Sequence, residues 1–450
     1  MRLIANIFLV VILAGCAGKS AVDNYQVVEN FIDENETFII DEKWYLGYSQ
    51  ASLNNLIDRA LIANQDLKIA SLNSLQAMAK VGLVSADMLP TFSASWGVES
   101  GRDISVPQNW QDSYNASVAV SYELDLYGKI RNSVSAAEWE QNATIYDMEA
   151  TKLNIINSVV DSYFKELFIR DTLKLLDQNL ENYRDLKAIV TAKVNCGKSL
   201  PIDLLEINKS ILSLENQILN YKRDRVANQE LLRNLLHLKP DESLNLGGMP
   251  LMEIKFMGVD TSVPVFAVGN RPDLRALISR INASFYDYKI SQKDFYPSIS
   301  LGGSLSASSK DFRGSSELDF LSGSLKINLP FLNYKRLKAN LRISELEFDK
   351  KVAQYEEGLV SALNEIDRYY YEYQNSILRF ENYKDIISNS QQLSKLYLTR
   401  YNAGKVELKD YIDAKNSEIS AHMNLVSEKY TTLNSEILVY KAMAGKFKNR

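Results

Sequence analysis

Two hydrophobic periods run along this chain, and they succeed each other twice in the same order. Phe92, Ala94, Trp96 and Val98 interleave with Ser93, Ser95, Gly97 and Glu99, and Ala116, Val118, Val120, Tyr122 and Leu124 interleave with Asn115, Ser117, Ser121, Glu123 and Asp125. A period of two sends alternate side chains to opposite faces of a strand, so strands are predicted over 91–101 and 114–126. The pattern returns with Ile299, Leu301 and Leu305 against Ser300, Gly302, Ser304 and Ser306, and with Leu321, Leu325, Ile327 and Leu329 against Ser322, Ser324, Lys326 and Asn328. Strands are predicted there over 298–308 and 318–329. In all four, one face is apolar and the other is small, hydroxylated or charged.

After each strand pair the period lengthens. Leu173, Leu176, Leu180, Tyr183, Val190 and Val194 keep a three-four spacing, as do Leu363, Ile366, Tyr370, Tyr373, Ile377 and Phe380; this is the seam of a coiled coil. Helices from Lys129 to about Val194 and from Tyr334 to about Tyr401 would each extend roughly 100 Å at 1.5 Å per residue. They break at Asn195-Cys196-Gly197 and Asn402-Ala403-Gly404, where glycine suits the left-handed residue that ends a helix. A second helix follows each break, which predicts helical hairpins over 129–238 and 334–445.

The two halves are copies. Asp66-Leu67 matches Asp273-Leu274, Pro90 matches Pro297, and Asn195, Gly197, Lys198 and Asp203 match Asn402, Gly404, Lys405 and Asp410, all at an offset of 207 residues. A constant offset over so long a span marks a duplicated unit, too long to be a solenoid repeat. The first repeat is assigned to 51–238 and the second to 271–445, each a helix, two strands and a long hairpin. Between them, 239–270 carries Pro240, Gly247, Gly248, Pro250, Gly258, Pro264 and Gly269, breakers that read as a linker packed around the bundle.

The strand length changes what the sheet can be. A half-buried soluble sheet has the same alternation, but about ten residues per strand is the length of tilted strands in an outer-membrane barrel. The stretches Gly101–Asp112 and Ser309–Glu317 are polar, as extracellular loops would be. No long apolar run follows the N-terminus, so any crossing is made with strands. Four strands cannot close a barrel, and an open edge in lipid leaves backbone groups unsatisfied at several kcal/mol each. Two chains would form eight strands around a filled interior, and three would form twelve around a channel.

At the N-terminus, Arg2 precedes an apolar run from Leu3 to Leu13 interrupted only by Asn6. It is too short for a membrane anchor and reads as a signal peptide over 1–15. Leu13-Ala14-Gly15-Cys16 resembles the lipobox of bacterial lipoproteins, which makes Cys16 the expected lipidation site and 16–50 a lipidated arm; an ordinary signal with an incidental cysteine is the alternative. Each buried acyl methylene contributes about 0.8 kcal/mol to anchoring. Ala17 stands where an inner-membrane retention signal would place Asp, so by the same resemblance the outer membrane is favoured. Cys196 is the one other cysteine, so no intramolecular disulfide is expected.

Charge and chemistry exclude more than they suggest. The net charge of −5 is made of interspersed acids and bases, without the basic stripe that nucleic acid requires. His237 and His422 are the only histidines, no carboxylates cluster at zinc spacing, Gly302-Gly303 lies inside a strand and not in a phosphate loop, and no serine sits in a nucleophile motif. No enzyme activity, metal or cofactor is expected beyond the covalent lipid on Cys16.

This arrangement resembles the TolC-like outer membrane factors over nearly the whole mature chain. Pro264 followed by Arg271-Pro272-Asp273-Leu274 resembles the signature of their lipoprotein (NodT-type) branch, which partners resistance-nodulation-division pumps. Glu123-Leu124-Asp125-Leu126-Tyr127-Gly128-Lys129-Ile130-Arg131 is similar to that family's exit from the first strand pair. Arg400-Tyr401-Asn402-Ala403-Gly404, then Asp410-Tyr411-Ile412-Asp413-Ala414, resembles its hairpin tip and the aspartates of its periplasmic aperture. The resemblance implies a mixed fold: an all-α periplasmic coiled-coil barrel on a transmembrane β-barrel, four strands per chain and twelve in a homotrimer.

It also implies an outer-membrane exit duct for small molecules such as drugs, lipid-anchored and reaching into the periplasm, with a periplasmic adaptor protein and an inner-membrane resistance-nodulation-division pump as partners. Asn195, Gly197, Tyr401, Asn402 and Gly404 would form the tips, and Asp410 and Asp413, with Asp203 and Glu206 on the matching hairpin, the aperture. Acids in a helix's first turn also offset its dipole, by about 0.3 to 1 kcal/mol, which is the plainer role for these four. Val406 departs from the family, whose best-known members carry a basic residue there. A duct for type I protein secretion and a structural coiled-coil lipoprotein are the rival readings.

Overall fold

A computed structural model describes residues 22, 25–27, 38–41, 43–105, 109–259, 265–310, 312 and 317–449. In chain order the elements are β1 (Phe38–Asp41), α1 (Ala51–Ala63), α2 (Gln65–Ala86), β2 (Thr91–Gly101), β3 (Gln111–Leu124), α3 (Lys129–Asn195) and α4 (Pro201–Leu235). There follow α5 (Pro272–Lys293), β4 (Ser298–Ser309), β5 (Phe320–Asn328), α6 (Tyr334–Asn402), α7 (Leu408–Ala442) and β6 (Lys446–Asn449). The signal segment, Cys16 and Pro264 lie outside the described residues.

The chain forms two compact units, and they are not the two repeats. One unit contains 1–31, 71–147 and 273–358; the other contains 32–70, 148–272 and 359–450. Each repeat contributes to both, because its strands pair with the other repeat's strands and its hairpin packs with the other repeat's hairpin.

In the first unit, β2, β3, β4 and β5 form one antiparallel sheet in that order. The central pairing joins the repeats: Val118 lies opposite Leu305 and Tyr122 opposite Leu301. β3 begins at Gln111, earlier than the alternation suggested, because its pairing with β2 continues to Gly101. It ends at Leu124 and not at 126, since Asp125 leaves the ladder to cap α3, accepting from the backbone N–H of Ile130 (2.9 Å) and of Arg131 (3.1 Å). Gly128, at φ +74°, makes the turn between them. β5 spans Phe320–Asn328 where 318–329 was expected, because Asn328 opposite Ser298 and Phe320 opposite Ser306 are the last pairs with β4. Below the sheet, Ile281, Phe285 and Tyr288 of α5 pack on Phe348 of α6.

In the second unit the three-four seam of α3 is the core. Leu173, Leu176, Leu180, Tyr183 and Val190 pack against Ile207, Ile211, Leu214 and Ile218 of α4 and Leu408, Ile412 and Ile419 of α7. A larger cluster holds the segment preceding α1: Trp44 and Tyr48 are buried among Tyr163, Phe164, Leu433 and Tyr440. Residues of the linker are fastened to the helices, with Arg170 donating to the Gly247 carbonyl (2.9 Å) and Leu251 N–H to Asp171 (2.7 Å). Glu436, wholly buried, accepts from Tyr48 Oη (2.8 Å) and from Gly258 N–H. β1 pairs with β6, Phe38 opposite Asn449, and so ties the arm to the C-terminus.

The duplication persists in how helices end. At Gly197 and Gly404 the chain is left-handed (φ +68° and +67°), and the bonds Lys198 N–H to Lys193 O (2.8 Å) and Lys405 N–H to Arg400 O (2.9 Å) close Schellman turns. His237 and Ala444, again 207 residues apart, are left-handed at the other ends of the hairpins, with Leu238 and Gly445 donating back to Arg233 and Tyr440.

Candidate functional site

Cross-strand pairing divides the sheet into two chemically distinct faces. Directly opposite residues share a face, so Phe92, Ala94, Trp96 and Val98 continue into Val120, Val118, Ala116 and Tyr114, and onward through Leu301, Leu305, Leu321 and Leu325. This apolar face is bare: Phe92 is 78% exposed and Leu321 77%. The opposite face is a field of hydroxyls, in which Ser117 faces Ser306, and Ser304 bonds Ser322 at 2.8 Å. Water does not reward an uncovered apolar sheet of this extent, whereas hydrocarbon on one side and an aqueous lumen on the other match both faces.

Aromatic side chains stand at both ends of the strands. Near the loops, Phe312 meets Trp96 and Tyr114 edge-on at 6.0 Å each; at the helical end, Tyr127 stacks on Tyr296 at 4.7 Å. Between them the 11 residues of β2 cover about 27 Å at 3.3 Å per residue with a tilt near 40°. That is the height of a membrane barrel's apolar band with its two girdles. Among the described residues no helix is long and apolar enough to cross a membrane.

At the hairpin tips, in the second unit, the four acids do not share one role. Asp203 accepts from Leu200 N–H (3.2 Å) and from Ser199 Oγ, and Asp410 accepts from Glu407 N–H (3.1 Å). Both close the first turn of a returning helix. Asp413 is exposed one turn further on, and Glu206 is half-buried. Asn195, Gly197, Asn402 and Gly404 make the turns themselves. Tyr401 does more: it lies parallel to Tyr411 with centroids 6.4 Å apart, and its hydroxyl accepts from Lys193 Nζ at 3.1 Å while that ammonium sits 4.5 Å from its ring centre.

Lys193 was not singled out in the sequence, although a signal existed: the position 207 residues later is Arg400, so both repeats place a cation just before the tip. The contact joins the end of α3 to the end of α6. Above it, buried Tyr183 donates to Asn416 Oδ1 (2.9 Å); burial, then the neighbouring Tyr411 and Asp413, holds its phenol well above the ordinary value. The arginine of the Arg271-Pro272-Asp273 signature is structural here, bonding Glu365 (2.9 Å) and the Ala442 carbonyl (3.2 Å).

A bare sheet of membrane height and, along the same chain, long helical hairpins define an outer-membrane channel subunit of TolC-like fold. The family model described as outer membrane efflux protein matches residues 56–236 and 263–445, and the chain belongs to that family, a family of outer-membrane efflux ducts. It is 32% identical to "Toxin and drug export protein A" of Aggregatibacter actinomycetemcomitans, over 99% of this chain and 98% of that protein. The fold is similar to the Campylobacter jejuni CmeC outer membrane channel (23% identity, TM-score 0.80, 95% and 93% of the two chains). It is similar also to the open state of the Neisseria gonorrhoeae MtrE channel (25% identity, TM-score 0.78, 87% and 89%).

Proposed function

We propose that the chain is one protomer of a homotrimeric, non-enzymatic exit duct, anchored by lipid on Cys16, through which an inner-membrane resistance-nodulation-division pump and a periplasmic adaptor expel small molecules. The observation that carries the oligomer is the sheet's two edges, β2 and β5, which pair with no further strand among the described residues and lie beside a bare apolar face. Closing them in lipid takes further copies, and twelve strands are the smallest multiple of four that leaves a channel. A second feature supports the same reading: Leu205, Leu212, Leu219 and Val226 of α4 repeat every seven residues and are 59–67% exposed, an uncovered coiled-coil seam.

The expected mass in detergent is three chains, and the same sample is expected to conduct ions across planar bilayers. A stable monomer with full strand content, or a trimer without conductance, would sink the proposal. Drugs are the proposed cargo; the name of the Aggregatibacter relative, which covers toxin as well as drug export, supports protein export through the same duct as the second reading.

At the aperture we assign Asp413 the electrostatic role, since threefold symmetry makes an exposed acid there a ring of three carboxylates that favours cations. Asp413→Asn is expected to lower the cation preference of single channels and leave assembly intact. Asp410→Ala is expected to act chiefly on stability, by about 1 kcal/mol through the lost cap. Unchanged ion selectivity in Asp413→Asn would leave both acids as helix-start residues alone.

A further inference from the structure

We infer that a cationic recess where the sheet meets its helices binds the phosphate of an anionic phospholipid headgroup. The inference rests on the strands spanning the outer membrane, which puts this end of the sheet at the periplasmic leaflet.

The recess, about 290 Å³ in volume, lies in the first unit between the start of α3 and the end of α5 and is lined by Tyr127, Arg131, Asn132, Lys289, Gln292 and Lys293. Its three cations differ in how they are satisfied. Arg131 is held by Asp125, Nε to Oδ2 at 3.0 Å, and nearby Lys129 is paired with Asp294 at 2.6 Å. Lys289 and Lys293 form no ion pair among the described residues; their ammonium groups lie over aromatic faces, 4.4 Å from the centre of Phe285 and 5.4 Å from that of Tyr296.

Standing four residues apart, the two lysines project from one face of α5, where like charges repel. An anion between them removes that repulsion, and Asn132 and Gln292 add neutral donors beside it.

What surrounds the recess selects a lipid. Tyr127 and Tyr296, stacked and each nearly half exposed, form the girdle at its mouth. Leu126 is 57% exposed next to them, and Leu329, Phe331 and Leu332 are bare at the same end of the sheet. A free phosphate would use the cations and leave this apolar rim in water; a headgroup phosphate brings acyl chains that cover it.

The test uses the full-length protein in detergent, with native mass spectrometry counting retained lipid as phosphatidylglycerol or phosphatidylcholine is titrated in. Wild type is expected to prefer phosphatidylglycerol. Lys289→Gln with Lys293→Gln should weaken its retention about thirtyfold, the effect of two interfacial charges. Lys289→Arg with Lys293→Arg should keep it.

Undiminished retention in the glutamine variant, equal retention of phosphatidylcholine, or full displacement by millimolar inorganic phosphate would each overturn the lipid site. So would loss of trimer mass in the glutamine variant, which would make the recess a contact between copies of the chain. Planar-bilayer conductance of the same samples separates the two levels. Conductance without a phosphatidylglycerol preference removes the site alone; a wild type that never conducts removes the membrane-spanning strands and the site with them.

Discussion

Replacing Lys193 by methionine tests whether the hairpin tips hold the duct closed. Lys193 donates to Tyr401 Oη at 3.1 Å and stacks on the same ring at 4.5 Å, joining two hairpins of one chain by a half-buried contact. A hydrogen bond from a charged donor that is partly exposed contributes about 1 kcal/mol, and an ammonium over an accessible tyrosine about 0.5 to 1 kcal/mol. Losing both is worth about 1.5 to 2 kcal/mol per protomer, which corresponds to a tenfold or larger rise in the population with that tip apart. Tyr401→Phe keeps the ring and loses only the hydroxyl, so a rise of about fivefold is expected. Methionine keeps the length and apolar character of the lysine stem and removes only the ammonium. Single-channel recording in planar bilayers reads the result as open probability, with trimer mass as the control for assembly. Lys193→Met indistinguishable from wild type, or less active than Tyr401→Phe, would refute the clasp.

Three further predictions address anchoring and stability. Cys16→Ala should abolish metabolic labelling with palmitate, and undiminished labelling would remove the lipid anchor. Burial raises the Glu436 carboxyl above 4.5, its ordinary value, against the lowering effect of its bonds from Tyr48 and Gly258. Its protonated form is therefore favoured on folding, and that stabilisation is complete below 4.5 and lost as pH rises through the raised value. Glu436→Gln, neutral throughout, should flatten the dependence of Tm on pH above 4.5; an unaltered slope would assign the titration elsewhere. Gly358 lies where α6 meets α5, and a Cβ there would fall 2.9 Å from Leu277 Cδ1 and 3.3 Å from Leu274 Cδ2. Gly358→Val is expected to destabilise by about 1 to 3 kcal/mol through overpacking, seen as a lower Tm; an unchanged Tm would show that the leucines move aside freely.

The sequence by itself determined the local order of this protein. Strand and helix periods, the tip glycines and the constant offset between Asp203 and Asp410 are set by backbone sterics and by which face of one element is apolar, and both are written residue by residue. The alternation also carried the functional reading, because a strand of membrane height with one bare apolar face has few other uses. What only the tertiary structure decided concerns residues far apart in the chain. Pairing β3 with β4 made one sheet from two repeats, since each strand pair alone would leave its inner edge unsatisfied. That pairing divides the molecule across its repeats and not between them. Asp410, for which the sequence offered both an aperture role and a helix-start role, accepts from Glu407 N–H, because a carboxylate three residues into a helix reaches the first free donor whichever way the pore lies. Lys193 and Tyr401 are 208 positions apart, and the linker's Gly258 is 178 positions from Glu436. No period records such pairs, because the energy that selects them comes from burial and charge in a space that exists only after the helices have packed.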